Sequence, residues 1–321
     1  MRYRALGATG IQVSEIGFGA WGIGGNVNGA VAYGPTNHEE SKRALRSAHN
    51  SGVTFFDTAD FYGFGHSETL LGEALRDVRS QIVIATKVGM LGADGAQDFS
   101  PGHIRRAVEQ SLRRLRTDYI DLYQLHSPPI ELLERDERIL TCMEVLRREG
   151  KIRAHGISLR SPDDGLAAVA KFGVKCLQVN FNLLDQRAIE NGLLATCHER
   201  DVGVIVRTPL CFGFLTGRYS AGDKFDAADH RTQWSQAQIE KWAGAYRLFS
   251  SVLSKPTAET PAQFALRFCL SFPGVSTVIP GMLTRQHVAE NIKASEVDQL
   301  LESERAELIR IYRENEFFIS T

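Results

Sequence analysis

The stretch TFFDTADFY at residues 54–62 decides the fold, together with IVIATKV at 82–88 and DLYQLH at 121–126. Each is a short apolar run of the kind that forms a buried strand. Each also carries polar or ionisable side chains at or just beyond its end: Asp57 and Tyr62, Lys87, and His126. A buried charge or imidazole is costly unless it is paired. Because successive strands end in this way, we expect their ends to converge on one site.

Around these runs, strand and helix patterns alternate along the chain. Eight strand patterns run from EIGFG at 15–19 to GVSTVIPG at 274–281, each followed by a helix pattern or a long loop. Parallel strands need such crossovers, and eight of them close a barrel. The sequence therefore predicts an α/β fold, a (β/α)8 TIM barrel that forms a single domain over residues 1–321. A short N-terminal β-hairpin (Tyr3–Leu6 with Gln12–Val13) and a long loop after the seventh strand, from about Cys211 to Pro261, complete it.

The competing fold is a doubly wound sheet, and GFGAWGIGG at 17–25 superficially resembles its glycine-rich phosphate turn. A lone glycine-rich stretch is weak evidence, and eight strand–helix units favour the barrel. Helix starts are predicted at Asn37, at Ser67 and at Ser100 with Pro101 in the first turn. One helix is predicted over the segment from Glu131 to Arg148.

Charge and composition narrow the function classes. The 321 residues carry a net charge of −1, so no global field attracts nucleic acid or an anionic membrane. No apolar run approaches the ~20 residues of a membrane span, and MRYRALGATG lacks the hydrophobic segment of a signal peptide. The five cysteines form no CxxC pair, which argues against a metal site and fits reduced thiols in a cytoplasmic protein.

In a barrel, chemistry lies at the C-terminal ends of the strands. A lysine beside an aspartate stays charged, and its charge lowers the pKa of a nearby tyrosine from about 10. Such a tyrosine gives a proton to a developing alkoxide, while a neutral histidine orients the carbonyl. Asp57, Tyr62, Lys87 and His126 suit these roles. None of them is a source of hydride, so a reduction would need a cofactor.

Two loops offer a phosphate cradle of the kind that barrels hold after strands seven and eight. PLCFGFLTGRY at 209–219 contributes Gly213, Gly217 and Arg218. IPGMLTRQHVAEN at 279–291 is predicted to begin a helix near Gly281–Thr284, and helix N-termini bind phosphate through free N–H groups.

These residues make the chain similar to a known family. DTADFYGFGHSETLLGEAL at 57–75, IATKVG at 84–89 and DLYQLHSP at 121–128 resemble the aldo-keto reductases, single-domain barrels that use a nicotinamide cofactor without a Rossmann fold. The resemblance covers about nine-tenths of the chain. It implies that Tyr62 donates the proton, that Lys87 and Asp57 tune it, and that His126 orients the carbonyl. Substrate contacts are expected from Trp21, Tyr62 and His126.

The resemblance also implies a cofactor, with NADPH preferred and NAD left open. Ser158 and Gln178 match positions that hold the carboxamide. The expected cofactor contacts are Gly19, Ala20, Trp21, Asp57, Ser158, Gln178, Arg207, Thr208, Pro209, Leu210, Gly213, Leu215, Gly217, Arg218, Gly281, Thr284, Arg285, His287, Glu290 and Asn291.

The chain departs from the family pattern in three places. Leu159 stands where an asparagine usually follows the serine. Arg207 stands where the residue under the nicotinamide ring is usually aromatic. Arg285 lies one position away from the usual basic residue, the position that Thr284 occupies here, which weakens the expected clamp for the 2′-phosphate of NADPH.

Three functions compete at this point. The first is a carbonyl reductase acting on a small aldehyde or ketone, with a sugar- or polyol-derived carbonyl favoured. The second is a nucleotide-binding regulatory protein of the same fold, resembling the β subunits of potassium channels. The third is a Schiff-base enzyme with Lys87 as nucleophile, which pairing with Asp57 disfavours because it keeps the amine protonated. Nucleic acid and membrane are not expected as partners, and the protein is expected to be a monomer or a homo-oligomer.

Overall fold

A computed structural model describes residues 1–92, 94–252 and 259–319 as a barrel of eight parallel strands surrounded by helices. Two antiparallel strands precede it, β1 (Tyr3–Ala5) and β2 (Gln12–Ser14). The barrel strands follow in chain order and each pairs with the next. They are β3 (Phe18–Gly19), β4 (Phe55–Asp57), β5 (Val83–Val88), β6 (Ile120–His126), β7 (Ile152–Ser158), β8 (Cys176–Asn180), β9 (Gly203–Arg207) and β10 (Val275–Val278).

Backbone hydrogen bonds between the first and last strands close the barrel. The N–H of Gly17 donates to the carbonyl of Val278 at 2.8 Å, and the N–H of Gly19 donates to the carbonyl of Pro280 at 3.0 Å. Isolated parallel bridges join Ile16 to Val278 and Gly19 to Gly281. The eight predicted strands and their closure into a barrel are therefore confirmed.

The helices lie outside the strands and cover the barrel. They are α1 (His38–Asn50), α2 (His66–Leu75), α3 (Pro101–Leu115), α4 (Ile130–Arg135), α5 (Arg138–Arg148), α6 (Pro162–Phe172), α7 (Arg187–Glu190), α8 (Leu193–Glu199), α9 (Gln236–Ser250), α10 (Pro261–Leu270), α11 (Arg285–Asn291) and α12 (Glu302–Arg313). No helix in these three ranges is long and apolar enough to cross a membrane.

Short-range capping decides where several helices begin. Ser100 accepts a hydrogen bond from the N–H of His103, with Pro101 in the first turn, as the sequence predicts. Asn37 caps α1 by accepting from the N–H of Glu40. The predicted cap at Ser67 is wrong. Its hydroxyl donates to the carbonyl of Ala20 at 2.8 Å, so α2 begins at His66 after Gly65.

The helix predicted from Glu131 to Arg148 is two helices, α4 and α5. Asp136 ends the first, and its side chain accepts from the N–H of Arg138 at 3.1 Å, which starts the second. An aspartate that bonds its neighbouring backbone competes with helix continuation. The break is therefore encoded locally.

The β1–β2 hairpin lies against the N-terminal end of the barrel. Leu6, Ile11 and Val13 join an apolar cluster inside the strands, which includes Phe55, Ala85, Leu122, Cys176 and Ile205. This cluster fills the lower half of the barrel. The predicted hairpin is confirmed, one residue shorter in its first strand and one longer in its second.

The long loop after the seventh barrel strand is also confirmed. It contains two 3-10 segments (Cys211–Thr216 and His230–Gln233) and α9. Trp234 packs on Trp242 with ring centroids 4.9 Å apart, so the loop has an aromatic core of its own. The residue pattern of this loop also predicts an amphipathic stretch over Trp234–Leu253, whose last residue, with 254–258, lies outside the described part of the chain.

Candidate active site

The C-terminal ends of the barrel strands meet at one cavity of about 570 Å³. Asp57 ends β4, His126 ends β6 and Arg207 ends β9, and all three side chains line it. Lys87 lies one residue before the end of β5 and is fully buried beneath the cavity. The strand ends therefore converge on one cavity, as the sequence predicts.

Lys87 joins Asp57 to Tyr62. Its ammonium donates to Oδ1 of Asp57 at 2.6 Å, to the backbone carbonyl of Thr58 at 2.8 Å and to the hydroxyl of Tyr62 at 3.1 Å. An ammonium has three protons to donate, and each has one acceptor here. The side chain is therefore held in one orientation, with its charge beside the phenol.

Two glutamines hold the second oxygen of Asp57. Nε2 of Gln178 donates to Oδ2 at 2.8 Å and Nε2 of Gln124 donates at 3.3 Å. Ser158 in turn donates to Oε1 of Gln178 at 3.4 Å. Gln124 was not among the predicted site residues. Its signal in the sequence is a polar residue in the middle of the buried run DLYQLH.

His126 lies edge-on to the phenol, with ring centroids of His126 and Tyr62 5.8 Å apart and the rings at 82°. Its Nδ1 is buried and accepts or donates no hydrogen bond within the described residues. Burial, reinforced by the charges of Lys87 and Arg207, lowers the pKa of His126 well below its usual value. The imidazole is therefore neutral near pH 7, as the sequence analysis expected.

Electrostatics at Tyr62 differ from expectation in one respect. Burial raises the pKa of Tyr62, and the opposing charge of Lys87 does not reverse this. The charge of the lysine can be inferred from the sequence, whereas the burial of the phenol cannot. Tyr62 is therefore fully protonated near neutral pH. The pKa of Lys87 is raised, because attraction to Asp57 and Tyr62 outweighs its own desolvation, so the amine stays charged.

The loops after β9 and β10 form the far end of the cavity. Gly213 has φ of +95°, a conformation that favours glycine, and lines the cavity. Thr284 caps α11 by accepting from the N–H of His287, while the N–H of Arg285 donates to Glu40 at 3.3 Å. These two N–H groups at the start of α11 are thus already paired within the protein.

Charged side chains at this end pair with each other. Arg218 forms an ion pair with Glu290 at 2.6 Å, and both line the cavity. Arg285 is 63 % exposed and has its guanidinium 3.9 Å from Glu40. Of these two arginines, Arg218 therefore lies at the cavity wall and Arg285 stands away from it.

Most of the predicted site residues line this cavity. They are Gly19, Ala20, Trp21, Asp57, Tyr62, His126, Gln178, Arg207, Thr208, Pro209, Leu210, Gly213, Arg218, Gly281, His287, Glu290 and Asn291. The other predicted residues do not line it: Lys87, Ser158, Leu215, Gly217, Thr284 and Arg285.

Two aromatic residues of the wall, Tyr33 and Tyr219, escaped sequence reasoning. Tyr33 and Tyr219 line the cavity with Arg231, whose guanidinium lies over both rings and forms a 2.5 Å ion pair with Asp229. A backbone bridge between Tyr33 and Asp229 joins the two loops. The contacts of Tyr33 with Arg231 and Asp229 join positions about two hundred residues apart in the sequence, and no local pattern predicts them.

Comparison with known proteins agrees with this geometry. The sequence profile of the Aldo/keto reductase family matches residues 15–313. The chain belongs to the aldo/keto reductase family. This aldo/keto reductase is 31% identical over 308 residues to the uncharacterized oxidoreductase YqkF of Bacillus subtilis, a match that covers 95% of this chain and 94% of that protein.

Other curated relatives of this aldo/keto reductase differ in their named roles. The aldo-keto reductase yakc of Schizosaccharomyces pombe, whose name specifies NADP(+), is 31% identical, with 89% of this chain and 84% of that protein covered. A probable voltage-gated potassium channel subunit beta of Arabidopsis thaliana is 30% identical, with 94% and 93% covered. Membership of the family therefore does not by itself separate an enzyme from a channel subunit.

Solved structures show the same barrel. The holo form of the aldo-keto reductase AKR11C1 of Bacillus halodurans superposes with a TM-score of 0.79 at 30% identity and covers 97% of this chain and 96% of that chain. The glycerol dehydrogenase AKR11B4 of Gluconobacter oxydans superposes with a TM-score of 0.82 at 27% identity, with 99% and 97% covered.

Proposed function

We propose that this aldo/keto reductase is an NADPH-dependent carbonyl reductase that converts a small aldehyde or ketone to an alcohol. One observation carries the proposal: the ammonium of Lys87 touches both the Asp57 carboxylate and the Tyr62 hydroxyl, beneath a cavity lined by Tyr62 and His126. That arrangement suits proton donation to an oxygen that gains negative charge. We further propose that residues 1–321 act as a single barrel domain.

Each residue then has a defined task. Tyr62 is the proton donor, because it is protonated near neutral pH and lies against the cavity. Lys87 stabilises the tyrosinate that remains after proton transfer, since its ammonium is 3.1 Å from the phenol oxygen. His126, neutral, donates a hydrogen bond to the carbonyl oxygen and orients it. Asp57 and the two glutamines keep the ammonium charged and fixed.

The residues present fit a nicotinamide dinucleotide. When bound, the reduced cofactor supplies a hydride, which no side chain of the site supplies. The cavity extends without interruption from Tyr62 to Asn291, and its volume of about 570 Å³ lies in the usual range for ligand sites. Gly213 and Gly281 leave the backbone open to the cavity, and an added Cβ at Gly281 would meet no atom within 4 Å. Arg218 would hold phosphate.

NADPH is proposed over NADH because Arg218 is a cation on the cavity wall and the S. pombe relative is named for NADP(+). The ion pair between Arg218 and Glu290 opposes this preference, because a carboxylate near the adenosine end repels a 2′-phosphate. The two cofactors should be titrated side by side.

The decisive experiment uses purified protein with NADPH and a panel of small carbonyl compounds, including sugar- and polyol-derived ketones. Wild-type protein should oxidise NADPH only when a carbonyl is present. Tyr62→Phe should lower kcat by about 10²–10⁴-fold, the usual worth of a general acid, while binding NADPH with unchanged affinity. The control is Tyr3→Phe, because Tyr3 is 50% exposed and lies in β1, away from the cavity.

Three outcomes would contradict the proposal. Tight nucleotide binding with no turnover on any carbonyl would favour a regulatory role like that named for the Arabidopsis relative. Activity that survives Tyr62→Phe would remove Tyr62 from the chemistry. Borohydride trapping of substrate on Lys87 would point instead to a Schiff base.

The setting proposed for this activity is the cytoplasm, with a small-molecule carbonyl as the partner and neither nucleic acid nor membrane involved. The near-zero net charge supports the absence of nucleic acid. Trp21 and Phe61 give the cavity wall an apolar part, next to polar groups at Gln178 and Arg231. This mixture supports a polyol- or sugar-derived substrate.

A further inference from the structure

The reacting end of the cavity carries an uncompensated positive charge. Lys87 and Asp57 cancel each other in their ion pair, and Tyr62 and His126 are neutral near pH 7. Arg207 is the remaining charge at this end. Its guanidinium donates one hydrogen bond, to the backbone carbonyl of Leu159 at 3.3 Å.

No carboxylate of the described residues forms an ion pair with Arg207. Two carboxylates act on it from a distance, Asp185 and Asp57, and both are committed elsewhere. Asp185 accepts from Arg187 at 2.7 Å and from Asn180 at 2.5 Å, and Asp57 forms its ion pair with Lys87. Desolvation lowers the pKa of Arg207, but a guanidinium remains protonated in proteins. Arg207 is partly buried in the cavity wall, so it acts on a charge that enters the cavity more strongly than an exposed cation would, because less water screens the pair.

Arg207 occupies the passage between the two ends of the cavity. It ends β9, pairs in register with Asn180 of β8, and is followed by Thr208–Leu210, which continue the wall toward Gly213. A dinucleotide whose phosphates lie at the loops after β9 and β10 reaches Tyr62 only across this part of the wall. Its nicotinamide ring therefore comes against Arg207 and Gln178.

The two redox states of that ring differ by one charge. The oxidised ring is positive and the reduced ring is neutral, while the phosphates and adenosine are the same in both. We propose that Arg207 makes this site discriminate between the two states, so that the protein binds NADPH more tightly than NADP+ and raises the reduction potential of the bound couple. This inference rests on the proposed function, because it requires the dinucleotide to occupy the cavity.

The test measures dissociation constants, not turnover. Titrations of the wild-type protein with NADPH and with NADP+, followed by quenching of tryptophan fluorescence, give the ratio Kd(NADP+)/Kd(NADPH). Trp21 lines the cavity and should report both. Arg207→Gln should lower this ratio by about tenfold or more, which for a two-electron couple corresponds to a potential about 30 mV lower. Arg207→Lys keeps the charge and should restore most of the ratio.

A matched control separates charge at the ring from charge at the phosphates. Arg218→Gln removes a cation from the far end of the cavity, so it should change both dissociation constants by the same factor and leave their ratio unchanged. A loss of structure at position 207 would also weaken both ligands together. Only an effect on the ring itself changes the ratio.

The outcomes distinguish this inference from the proposed function. If the wild-type protein binds neither nucleotide, the proposed function fails. If it binds both and the ratio is the same in Arg207→Gln, the proposed function stands and the role of Arg207 is wrong. An unchanged ratio with a raised KM for carboxylate-bearing carbonyls would equally overturn it, since Arg207 would then serve the substrate.

Discussion

Replacing Asp57 by asparagine tests whether the site depends on the buried ion pair. The substitution keeps the size of the side chain and removes the charge that Lys87 faces at 2.6 Å. In the wild-type protein both carboxylate oxygens accept hydrogen bonds, one from Lys87 and the other from Gln178 and Gln124. Asparagine replaces one of these oxygens by an NH₂ group, which is itself a donor. At least one donor must lose its acceptor in the variant.

The expected cost follows from burial. Asp57 and Lys87 are 2 % and 0 % exposed, so the lysine left behind cannot reach water. Removing one partner of a buried pair costs about 3–5 kcal/mol, a large share of the ~5–15 kcal/mol that stabilises an ordinary domain. Asp77→Asn provides the control. That residue pairs with Arg46 on the surface, where the two side chains are 66 % and 39 % exposed, so water screens the pair and its loss should cost far less than the loss of the buried one.

The cost of Asp57→Asn should also depend on pH. In the wild-type protein the pKa of Lys87 is raised, so its stabilising contribution is complete below the unfolded pKa of about 10.4 and is lost as the pH rises through the folded pKa. In the variant, burial without a partner lowers the pKa of Lys87, so its penalty is relieved as the pH rises. The difference in stability between the two proteins should therefore shrink from pH 7 to pH 10.

Urea denaturation of the three proteins at pH 7 and at pH 10 measures these differences. A cost of Asp57→Asn that equals the cost of Asp77→Asn, or that stays constant between the two pH values, would refute the reasoning. It would mean that water reaches Lys87, and the proposed role of the pair in keeping the ammonium charged would fail with it.

Two further predictions concern backbone and buried acid. Gly89 has φ of +117°, and an added Cβ would lie 2.0 Å from the ring of buried Phe99. Gly89→Ala should therefore lower the free energy of unfolding by about 3 kcal/mol. Gly10 has φ of +74° but faces open space, so Gly10→Ala should lower it by only about 1 kcal/mol. Denaturation curves of both variants decide this, and equal costs would contradict it. Burial and the charge of Glu68 raise the pKa of Asp60 to about 8. The folded protein therefore keeps a proton on this carboxyl group that the unfolded chain releases above about pH 4. Asp60→Asn should therefore stabilise the protein more at pH 8 than at pH 5, and an advantage that stays constant over this range would show that Asp60 is ionised in the fold.

The sequence predicted those parts of the fold that local patterns encode. The eight strands and the cap at Ser100 follow from periodicity and from residue types at fixed spacings. Ser67 was predicted wrongly because a tertiary partner, the carbonyl of Ala20, takes its hydroxyl. The contact of Tyr33 with the loop at Asp229 depends on how two distant loops meet. The predicted direction of the pKa shift at Tyr62 was wrong, because the effect of burial outweighs that of the nearby lysine and burial cannot be read from a sequence.

One further regularity in the sequence would have found Gln124. Side chains two positions apart on a strand point to the same face. Inside this barrel five of the strands place an apolar residue in the lower cluster and, two positions later, a polar residue at the level of the site. The pairs are Phe55 with Asp57, Ala85 with Lys87, Leu122 with Gln124, Cys176 with Gln178, and Ile205 with Arg207.

This alternation explains how a lysine can be fully buried in the middle of a fold and still serve chemistry. The apolar layer, closed below by Leu6 and Val13 of the hairpin, keeps water from entering under Lys87. The polar layer directly above supplies the acceptors that the ammonium needs. Because the two layers lie on the same strands, a one-residue slip of register would turn both out of the barrel together. The stability of the barrel and the electrostatics of the site thus depend on the same strand register.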